Sequence, residues 1–129
     1  MILLRKDYRA QPDTVRGDDA QLQQVFMNFL LNAVEAMGPN GRLTLNTEIA
    51  DGENGGRAMK IEIRDTGVGI ASENLERLFE PFFTTKKNGT GLGLAICHRI
   101  IREHQGSIQV HSEAGKSSTF SIWLVADGI

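Results

Sequence analysis

The sequence is short of three features, and each shortage excludes a class of protein. Cys97 is the single cysteine among 129 residues, so an intrachain disulfide is impossible and a reducing compartment is favoured. The 14 Lys and Arg residues do not outnumber the 16 Asp and Glu residues, and a net charge of −2 argues against a protein that coats nucleic acid. The densest apolar stretch, residues 25–37, contains two asparagines and a glutamate, so it falls short of the ~20 apolar residues of a membrane span. The opening MILLRKDY also lacks the apolar run of a signal peptide.

What is present is the composition of one globular domain, with 40% hydrophobic and 23% charged residues. Apolar periodicity and turn residues predict strands at 2–8, 13–17, 42–50, 58–65, 107–113 and 118–125, and helices at 19–37, from Ser72 to about Phe79 and at 91–105. Asp18 or Asp19 is the predicted N-cap of the first helix, Ser72 caps the second, and Gly106 ends the third. This order predicts an α/β (α+β) two-layer sandwich, in which helices pack on one face of a mixed, mostly antiparallel sheet.

Two amides lie on one side of the first predicted helix. Asn28 and Asn32 are four residues apart, so they project one turn from each other beside the apolar stripe. They are either boundary asparagines that bond neighbouring backbone, or oxygen ligands for Mg²⁺, which suits an uncharged carbonyl near phosphates.

A carboxylate ends the strand at 58–65. Asp65 is followed by Gly67 and Gly69, which is either ordinary turn chemistry or a loop that approaches a flat ring closely. In the second case Asp65 would accept the exocyclic amine of adenine, whereas guanine would present an oxygen and be repelled.

Three alternating glycines lead into the last helix. Gly89, Gly91 and Gly93 would expose backbone N–H groups at a helix start, and Lys86 and Lys87 precede them. Together these features favour an anion such as phosphate. The spacing matches neither a Walker loop nor a dinucleotide-binding G-x-G-x-x-G motif, and the three histidines do not have zinc-ligand spacing.

Four motifs in a fixed order resemble the ATP-binding domain of sensor histidine kinases. VFMNFLLNAVEAM (25–37) resembles the N box, IEIRDTGVGI (61–70) the first glycine box, LFEPFFTTK (78–86) the F box and GTGLGLAI (89–96) the second glycine box. The resemblance covers about residues 13–125 and implies the GHKL superfamily, which also contains gyrase-type and mismatch-repair ATPases. The E-A-M ending of the N box and the short lid suggest a nitrogen-regulation-like branch.

The resemblance implies a role for individual residues in binding ATP and Mg²⁺. Asn32 would hold the metal, while Asn28 and Lys86 would act at the phosphates as the catalytic pair. The remaining residues implied in nucleotide binding are Asp65, Gly67, Gly69, Ile70, Phe83, Gly89, Thr90, Gly91, Leu92, Gly93 and Ser118. Two positions depart from the pattern: Ser117 replaces a usual glycine before Ser118, and Glu35 stands where a basic residue is common.

The acceptor separates the possible activities. A gyrase-like hydrolase of this fold would carry a glutamate at position 28 as the base, whereas this chain has Asn28. None of the three histidines fits the phosphoacceptor pattern H-[DE]-x-x-[NRT]-P. We therefore expect residues 1–129 to be one catalytic domain of a longer kinase that acts on a histidine elsewhere. A GHKL-type ATPase or an anti-sigma-type serine kinase is the alternative.

The resemblance also implies partners. These are the dimerisation and phosphoacceptor domain of the same kinase and a response regulator, with no nucleic acid. The isolated domain is expected to be a cytoplasmic monomer and the parent kinase a homodimer, which could be anchored to a membrane.

Overall fold

The computed structural model describes residues 2–10, 15, 17–51, 56–81 and 93–126. Within them the elements are β1 (Ile2–Tyr8), α1 (Asp19–Met37), β2 (Gly41–Asp51), β3 (Arg57–Asp65), α2 (Ser72–Leu75), α3 (Gly93–Glu103), β4 (Ser107–Glu113) and β5 (Ser117–Val125). The strands form one sheet in the order β1-β2-β3-β5-β4. β1 is parallel to β2, and the other three pairs are antiparallel. The predicted mixed, mostly antiparallel sheet is confirmed.

The core lies between the helices and one face of the sheet. Alternation along the central strands turns Ile63, Phe120 and Ile122 toward the helices, where all three are buried. The ring of Phe29 on α1 meets the ring of Phe120 at 5.0 Å between centroids, in a tilted arrangement. α3 adds a buried stripe of its own through Cys97, Ile100 and Ile101.

The start of α1 is capped as predicted. The Asp18 carboxylate accepts a hydrogen bond from the Gln21 backbone N–H at 2.9 Å, which satisfies one of the unpaired donors of a helix N-terminus. The Asp18 backbone N–H donates in turn to Nε2 of His104 at 3.0 Å, and Nδ1 of that ring lies 2.7 Å from the Ile100 carbonyl. His104 therefore ties the end of α3 to the beginning of α1.

The prediction for the second helix was wrong at both ends. The N-cap is Ala71, which has no side-chain hydrogen bond, and Ser72 is the first helical residue. The helix ends at Leu75 instead of near Phe79. The bonds from Arg77 N–H to the Asn74 carbonyl and from Glu80 N–H to the Arg77 carbonyl span three residues. They are the bonds of successive tight turns, which do not continue an α-helix.

The end of α3 also differs from the prediction. The left-handed residue is Gln105, with φ of 58°, and not the glycine after it. Gln105 N–H donates to the Arg102 carbonyl and Gly106 N–H to the Ile101 carbonyl, which is the Schellman pattern. Gly106 is required for another reason, since a Cβ there would overlap the Trp123 carbonyl oxygen of β5.

Most of the strand predicted at 13–17 lies outside the described residues. Val15 forms an isolated antiparallel bridge with Ala126, and residues 11–14 and 16 lie outside the described residues. Within the described ranges, no helix has the length and apolar character needed to cross a membrane.

Candidate functional site

The candidate site begins at the end of β3, where the chain leaves the sheet. Asp65 is only 3% exposed there, and one oxygen of its carboxylate accepts the Gly67 backbone N–H at 2.8 Å. Burial raises the pKa of the Asp65 carboxyl above its ordinary value, and the Gly67 N–H opposes that shift. Within the described residues Gly67 is the hydrogen-bond partner of this carboxylate, and a buried carboxylate of this kind is an acceptor suited to a ligand donor.

The loop 66–70 is held between α1 and the β4–β5 turn. Val68 donates its N–H to the Ala36 carbonyl at 3.2 Å and accepts the Gly115 N–H at 2.6 Å. Gly67 packs against α1 so closely that a Cβ would lie 2.6 Å from the Ala36 carbonyl. Gly69 has φ of 70° and abuts the Glu113 backbone, so only glycine fits at this position without strain.

The hydroxyl of Ser112 on β4 joins this loop to β5. Its Oγ accepts the Ile70 N–H at 2.7 Å, donates to the Ser117 carbonyl at 2.8 Å and lies 3.0 Å from the Ser118 Oγ. Ser118 is 3% exposed and stands directly opposite Asp65 in the β3–β5 register. The sequence-predicted residues Asp65, Gly67, Gly69, Ile70 and Ser118 therefore come together at one end of the sheet.

Ser112 is the residue of this cluster that the sequence reasoning missed. The available signal was its position in the strand: in the antiparallel hairpin of β4 and β5, Ser112 pairs directly with Ser118. Directly paired residues present their side chains on the same face of the sheet. Once Ser118 is a candidate site residue, the register of this hairpin therefore identifies Ser112 as its neighbour.

The two predicted amides lie on α1 beside the beginning of α3. Asn28 is partly buried, and its Oδ1 is 3.9 Å from the position of a Cβ on Gly93, the first residue of α3. Its side chain also hydrogen-bonds to Cys97, whose thiol pKa burial raises to about 11. Asn32 is partly buried one turn further along the helix. The start of α3 is thus next to the amide-bearing side of α1.

Six predicted site residues cannot be placed. Phe83, Lys86, Gly89, Thr90, Gly91 and Leu92 all lie outside the described residues. Of the residues predicted at the phosphates from the second glycine box, Gly93 is the one within the described ranges.

The histidines serve the fold where they contact other residues. His104 joins α3 to the α1 cap as described above, and His98 stacks on Phe79 at 5.1 Å between ring centroids. Within residues 2–10, 15, 17–51, 56–81 and 93–126, no group of three or more His, Cys, Asp or Glu side chains is placed to hold a metal ion.

Comparison with known proteins gives a consistent family. Residues 17–128 match the family model described as histidine kinase-, DNA gyrase B-, and HSP90-like ATPase. The chain is 44% identical over 110 residues to the sensor histidine kinase ZraS of Escherichia coli K12, covering 85% of this chain and 23% of that protein. It is 40% identical over 124 residues to sporulation kinase C of Bacillus subtilis, and the match covers 95% of this chain and 28% of that protein. The chain thus spans about a quarter of the length of these relatives.

Solved structures agree with the sequence comparison. The catalytic domain of histidine kinase ThkA, in a nucleotide-free form, superposes with a TM-score of 0.83 at 31% identity, covering 97% of this chain and 79% of that one. Full-length ShkA in complex with AMPPNP gives a TM-score of 0.79 at 29% identity, and the match covers 95% of this chain and 25% of that one. The matched regions therefore share both sequence and fold with this chain.

Proposed function

Because the chain belongs to the histidine kinase-, DNA gyrase B- and HSP90-like ATPase family, we propose that it is the ATP-binding catalytic domain of a sensor histidine kinase. It transfers the γ-phosphoryl group of ATP to a histidine on the dimerisation domain of the same kinase, and a response-regulator aspartate receives it next. The observation that carries this proposal is the buried Asp65 beside the glycine loop, in a chain whose relatives are sensor histidine kinases.

The adenine end of the proposed site consists of Asp65 and the loop after it. The carboxylate accepts the exocyclic amine of adenine, and Gly67, Gly69 and Ile70 line the ring. Burial supports this assignment, because a desolvated carboxylate gains more from a ligand N–H than an exposed one does. Guanine is rejected, since its oxygen would face the carboxylate.

The phosphate end of the proposed site lies between α1 and the start of α3. Asn32 is proposed as the Mg²⁺ ligand and Asn28 as its neighbour at the phosphates, with the N–H groups from Gly89 to Gly93 and the Lys86 ammonium around them. The donor set fits this ion, because neutral amide oxygens leave room for water and phosphate ligands. Bound Mg²⁺ would neutralise charge on the triphosphate.

Asn28 supports phosphoryl transfer to a protein in preference to hydrolysis. An amide takes up no proton at neutral pH, so this residue does not supply the base that a water-attacking enzyme of the fold requires. Phosphoryl transfer depends mainly on positioning and charge neutralisation, for which amides and lysines are sufficient.

The rest of the kinase is proposed from the relatives. The chain covers 23% of ZraS and 28% of sporulation kinase C, so we infer that residues 1–129 form one catalytic domain of a longer kinase. The proposed partners are a dimerisation and phosphoacceptor domain and a response regulator. The proposed location is the cytoplasm. The isolated domain is proposed to be a monomer and the parent kinase a homodimer.

Transfer of label from ATP tests the proposed activity. The domain is incubated with γ-labelled ATP and Mg²⁺, with and without a separate fragment that carries the dimerisation helices of its parent kinase. We expect acid-labile label on the histidine of that fragment. Label released as free phosphate instead, or found on a serine of a partner protein, would contradict the proposal and indicate the corresponding alternative.

Substitution of Asp65 tests the adenine assignment. Asp65→Asn keeps the side-chain shape but replaces the carboxylate by an amide, so we expect ATP affinity to fall about 10- to 100-fold. Discrimination against GTP is expected to weaken as well. Calorimetric titration with both nucleotides measures the two effects, and an unchanged ATP affinity would refute the assignment.

Substitution of Asn32 tests the metal assignment. Asn32→Ala removes the proposed amide ligand, so nucleotide binding is expected to lose its dependence on Mg²⁺. ATP titrations of parent and variant, each with Mg²⁺ and with EDTA, measure this dependence. If EDTA weakens binding by the variant as much as binding by the parent, Asn32 is not the ligand. Leu31→Ala, on the exposed side of the same helix turn, is the matched control.

A further inference from the structure

We propose that Ser112 is a positioning residue of the nucleotide site, which fixes both the loop 66–70 and the hydroxyl of Ser118 relative to Asp65. The inference rests on the proposed function, because it assigns Ser112 to the recognition of the base. Ser112 itself lies outside the four motifs that identify the family, and it is 42 residues from Ile70 along the chain.

The hydrogen-bond inventory of Ser112 sets the direction of each bond. A serine hydroxyl has one proton to donate and two lone pairs that accept. The proton goes to the Ser117 carbonyl at 2.8 Å, while the Ile70 N–H at 2.7 Å occupies one lone pair. With the Ser112 proton assigned to that carbonyl, we assign the remaining neighbour, Ser118 Oγ at 3.0 Å, as a donor to Ser112.

This direction determines what Ser118 presents to a ligand. With its proton committed to Ser112, the Ser118 hydroxyl offers lone pairs only. Ser118 and Asp65 are directly opposite in antiparallel strands, so their side chains share one face and their Cβ atoms lie about 5 Å apart. The end of the sheet therefore presents two acceptors side by side, which matches the amino group of adenine and opposes the oxygen of guanine.

The same hydroxyl also holds the glycine loop. Ser112 holds the loop at Ile70, whereas Val68 is anchored through backbone atoms, to Ala36 on α1 and to Gly115 in the β4–β5 turn. Ser112 is therefore a side chain through which the loop can be released without altering any residue proposed to touch the nucleotide. Its removal would leave the Ile70 N–H without its acceptor and free the Ser118 proton to rotate.

A purely structural brace of the β4–β5 hairpin would behave differently. In that case Ser112→Ala would lower stability but leave the ratio of ATP to GTP affinity unchanged, since the two acceptors would keep their arrangement. Base discrimination at a temperature where the variant is fully folded is therefore the decisive measurement.

The experiment compares Ser112→Ala, Ser112→Thr and Ser121→Ala with the parent by calorimetric titration of ATP and GTP. Ser112→Ala is expected to bind ATP about 3- to 10-fold more weakly, the range for loss of a neutral hydrogen bond, and its ATP-to-GTP preference is expected to fall. Ser112→Thr keeps the hydroxyl and should restore the preference. Ser121 on β5 is buried like Ser118, but it lies three residues away and therefore on the other face of the sheet; it is the control whose substitution leaves the preference intact.

The outcomes separate this inference from the proposed function. A parent protein that binds no ATP overturns the proposed function, whatever Ser112 does. A parent that prefers ATP, with a Ser112→Ala variant that keeps the same preference, overturns the inference on Ser112 alone.

Hydrogen exchange of the parent provides a test that needs no variant to fold. Because Ser112 and the base hold the same loop, ATP is expected to slow exchange of the Ile70 amide together with that of Gly67. An Ile70 amide whose exchange is unaffected by saturating ATP would overturn the inference.

Discussion

At the scale of single residues, Asp65, the proposed acceptor for adenine, carries a cost in stability. Burial raises the pKa of its carboxyl, so the folded protein holds the proton more tightly than the unfolded chain does. The charged form therefore lowers the free energy of unfolding at every pH above the raised pKa. This destabilisation disappears below the ordinary carboxyl pKa, where the group is protonated in both states. A ligand donor that meets this carboxylate would offset the cost, which links affinity to the same burial.

Asp65→Asn should consequently make the protein more stable at pH 7 while weakening ATP binding. The amide oxygen still accepts the Gly67 N–H, and the desolvated charge is gone. Urea denaturation at pH 7 and at successively lower pH measures the gain, which should shrink as the parent carboxyl becomes protonated. A variant less stable than the parent at pH 7 would show that the carboxylate is stabilising.

Glu62 supplies a matched control of opposite sign. Lys60 hydrogen-bonds to it and forms an ion pair at 2.9 Å, and this contact lowers the pKa of the Glu62 carboxyl. The ionised form is then the one that stabilises the fold, above the ordinary carboxyl pKa, and the contribution is lost as the pH falls through the lowered pKa. Glu62→Gln should therefore reduce stability slightly at pH 7, where Asp65→Asn increases it.

At the scale of elements, the end of α3 separates two roles that sequence patterns assign to one glycine. Gln105 adopts the left-handed conformation, and Gly106 allows close contact with Trp123 of β5. Glycine therefore occupies the position where β5 packs closely, while the left-handed conformation falls on a residue with a side chain, at a cost of about 1 kcal/mol. The sequence alone favoured Gly106 as the end of the helix, because glycine is the usual left-handed residue there and the packing of β5 against residue 106 cannot be recognised from the neighbouring residues.

Gln105→Gly should stabilise the protein. Glycine relieves the left-handed strain but adds freedom to the unfolded chain, so we expect a gain of about 0.3–1 kcal/mol in free energy of unfolding. Gln109→Gly, on an exposed position of β4, is the control and should cost about 0.5–1 kcal/mol. Denaturant titration of both variants tests the pair, and a Gln105→Gly variant less stable than the parent would contradict the argument.

The prediction for α2 failed at this scale because its signals were too local. Ser72 is a good capping residue, but the chain continues after Leu75 through turns with three-residue hydrogen bonds. A helix of four residues gains little from its own hydrogen bonds, so contacts with the rest of the fold decide where it ends. Leu78 is buried and Phe79 packs against the core, which keeps this segment in place without an α-helix.

At the scale of the whole molecule, the layer between helices and sheet carries the stability. Phe29→Ala removes a ring that is 1% exposed and contacts Phe120, and a cost of about 3–5 kcal/mol is expected. That is a large part of the roughly 5–15 kcal/mol typical of a domain. Leu31→Ala, two residues further along α1 but 50% exposed, should stay within about 0.5 kcal/mol of the parent. Urea denaturation followed by circular dichroism compares them, and equal losses would contradict this location of the core.

Cys97 reports on opening of the same layer. Its side chain is fully buried and burial raises the thiol pKa to about 11, so almost no thiolate exists at neutral pH. We expect a thiol reagent to label native protein only as fast as the core opens, and to label it much faster in urea. Labelling should also be faster in Phe29→Ala than in Leu31→Ala. Rapid labelling of the native parent would show that the core opens locally at α3.

Patterns that repeat within one element were sufficient to predict α1, the strand pairs at 42–65 and 107–125, and the kinase-like motifs. Periodicity and capping residues such as Asp18 act over a few residues, so they can be read directly from the sequence. Asp65, Gly67 and Gly69 could be proposed as site residues for the same reason, since they are close together in the sequence.

Only the tertiary structure decided which distant residues meet. It placed β5 between β3 and β4, set Ser118 opposite Asp65, and brought Ser112 to the Ile70 N–H. It also placed Asn28 beside the start of α3. The physical reason is that a hydrogen bond between strands depends on register and strand order, which result from the burial of the whole sheet and leave no signal in either segment alone.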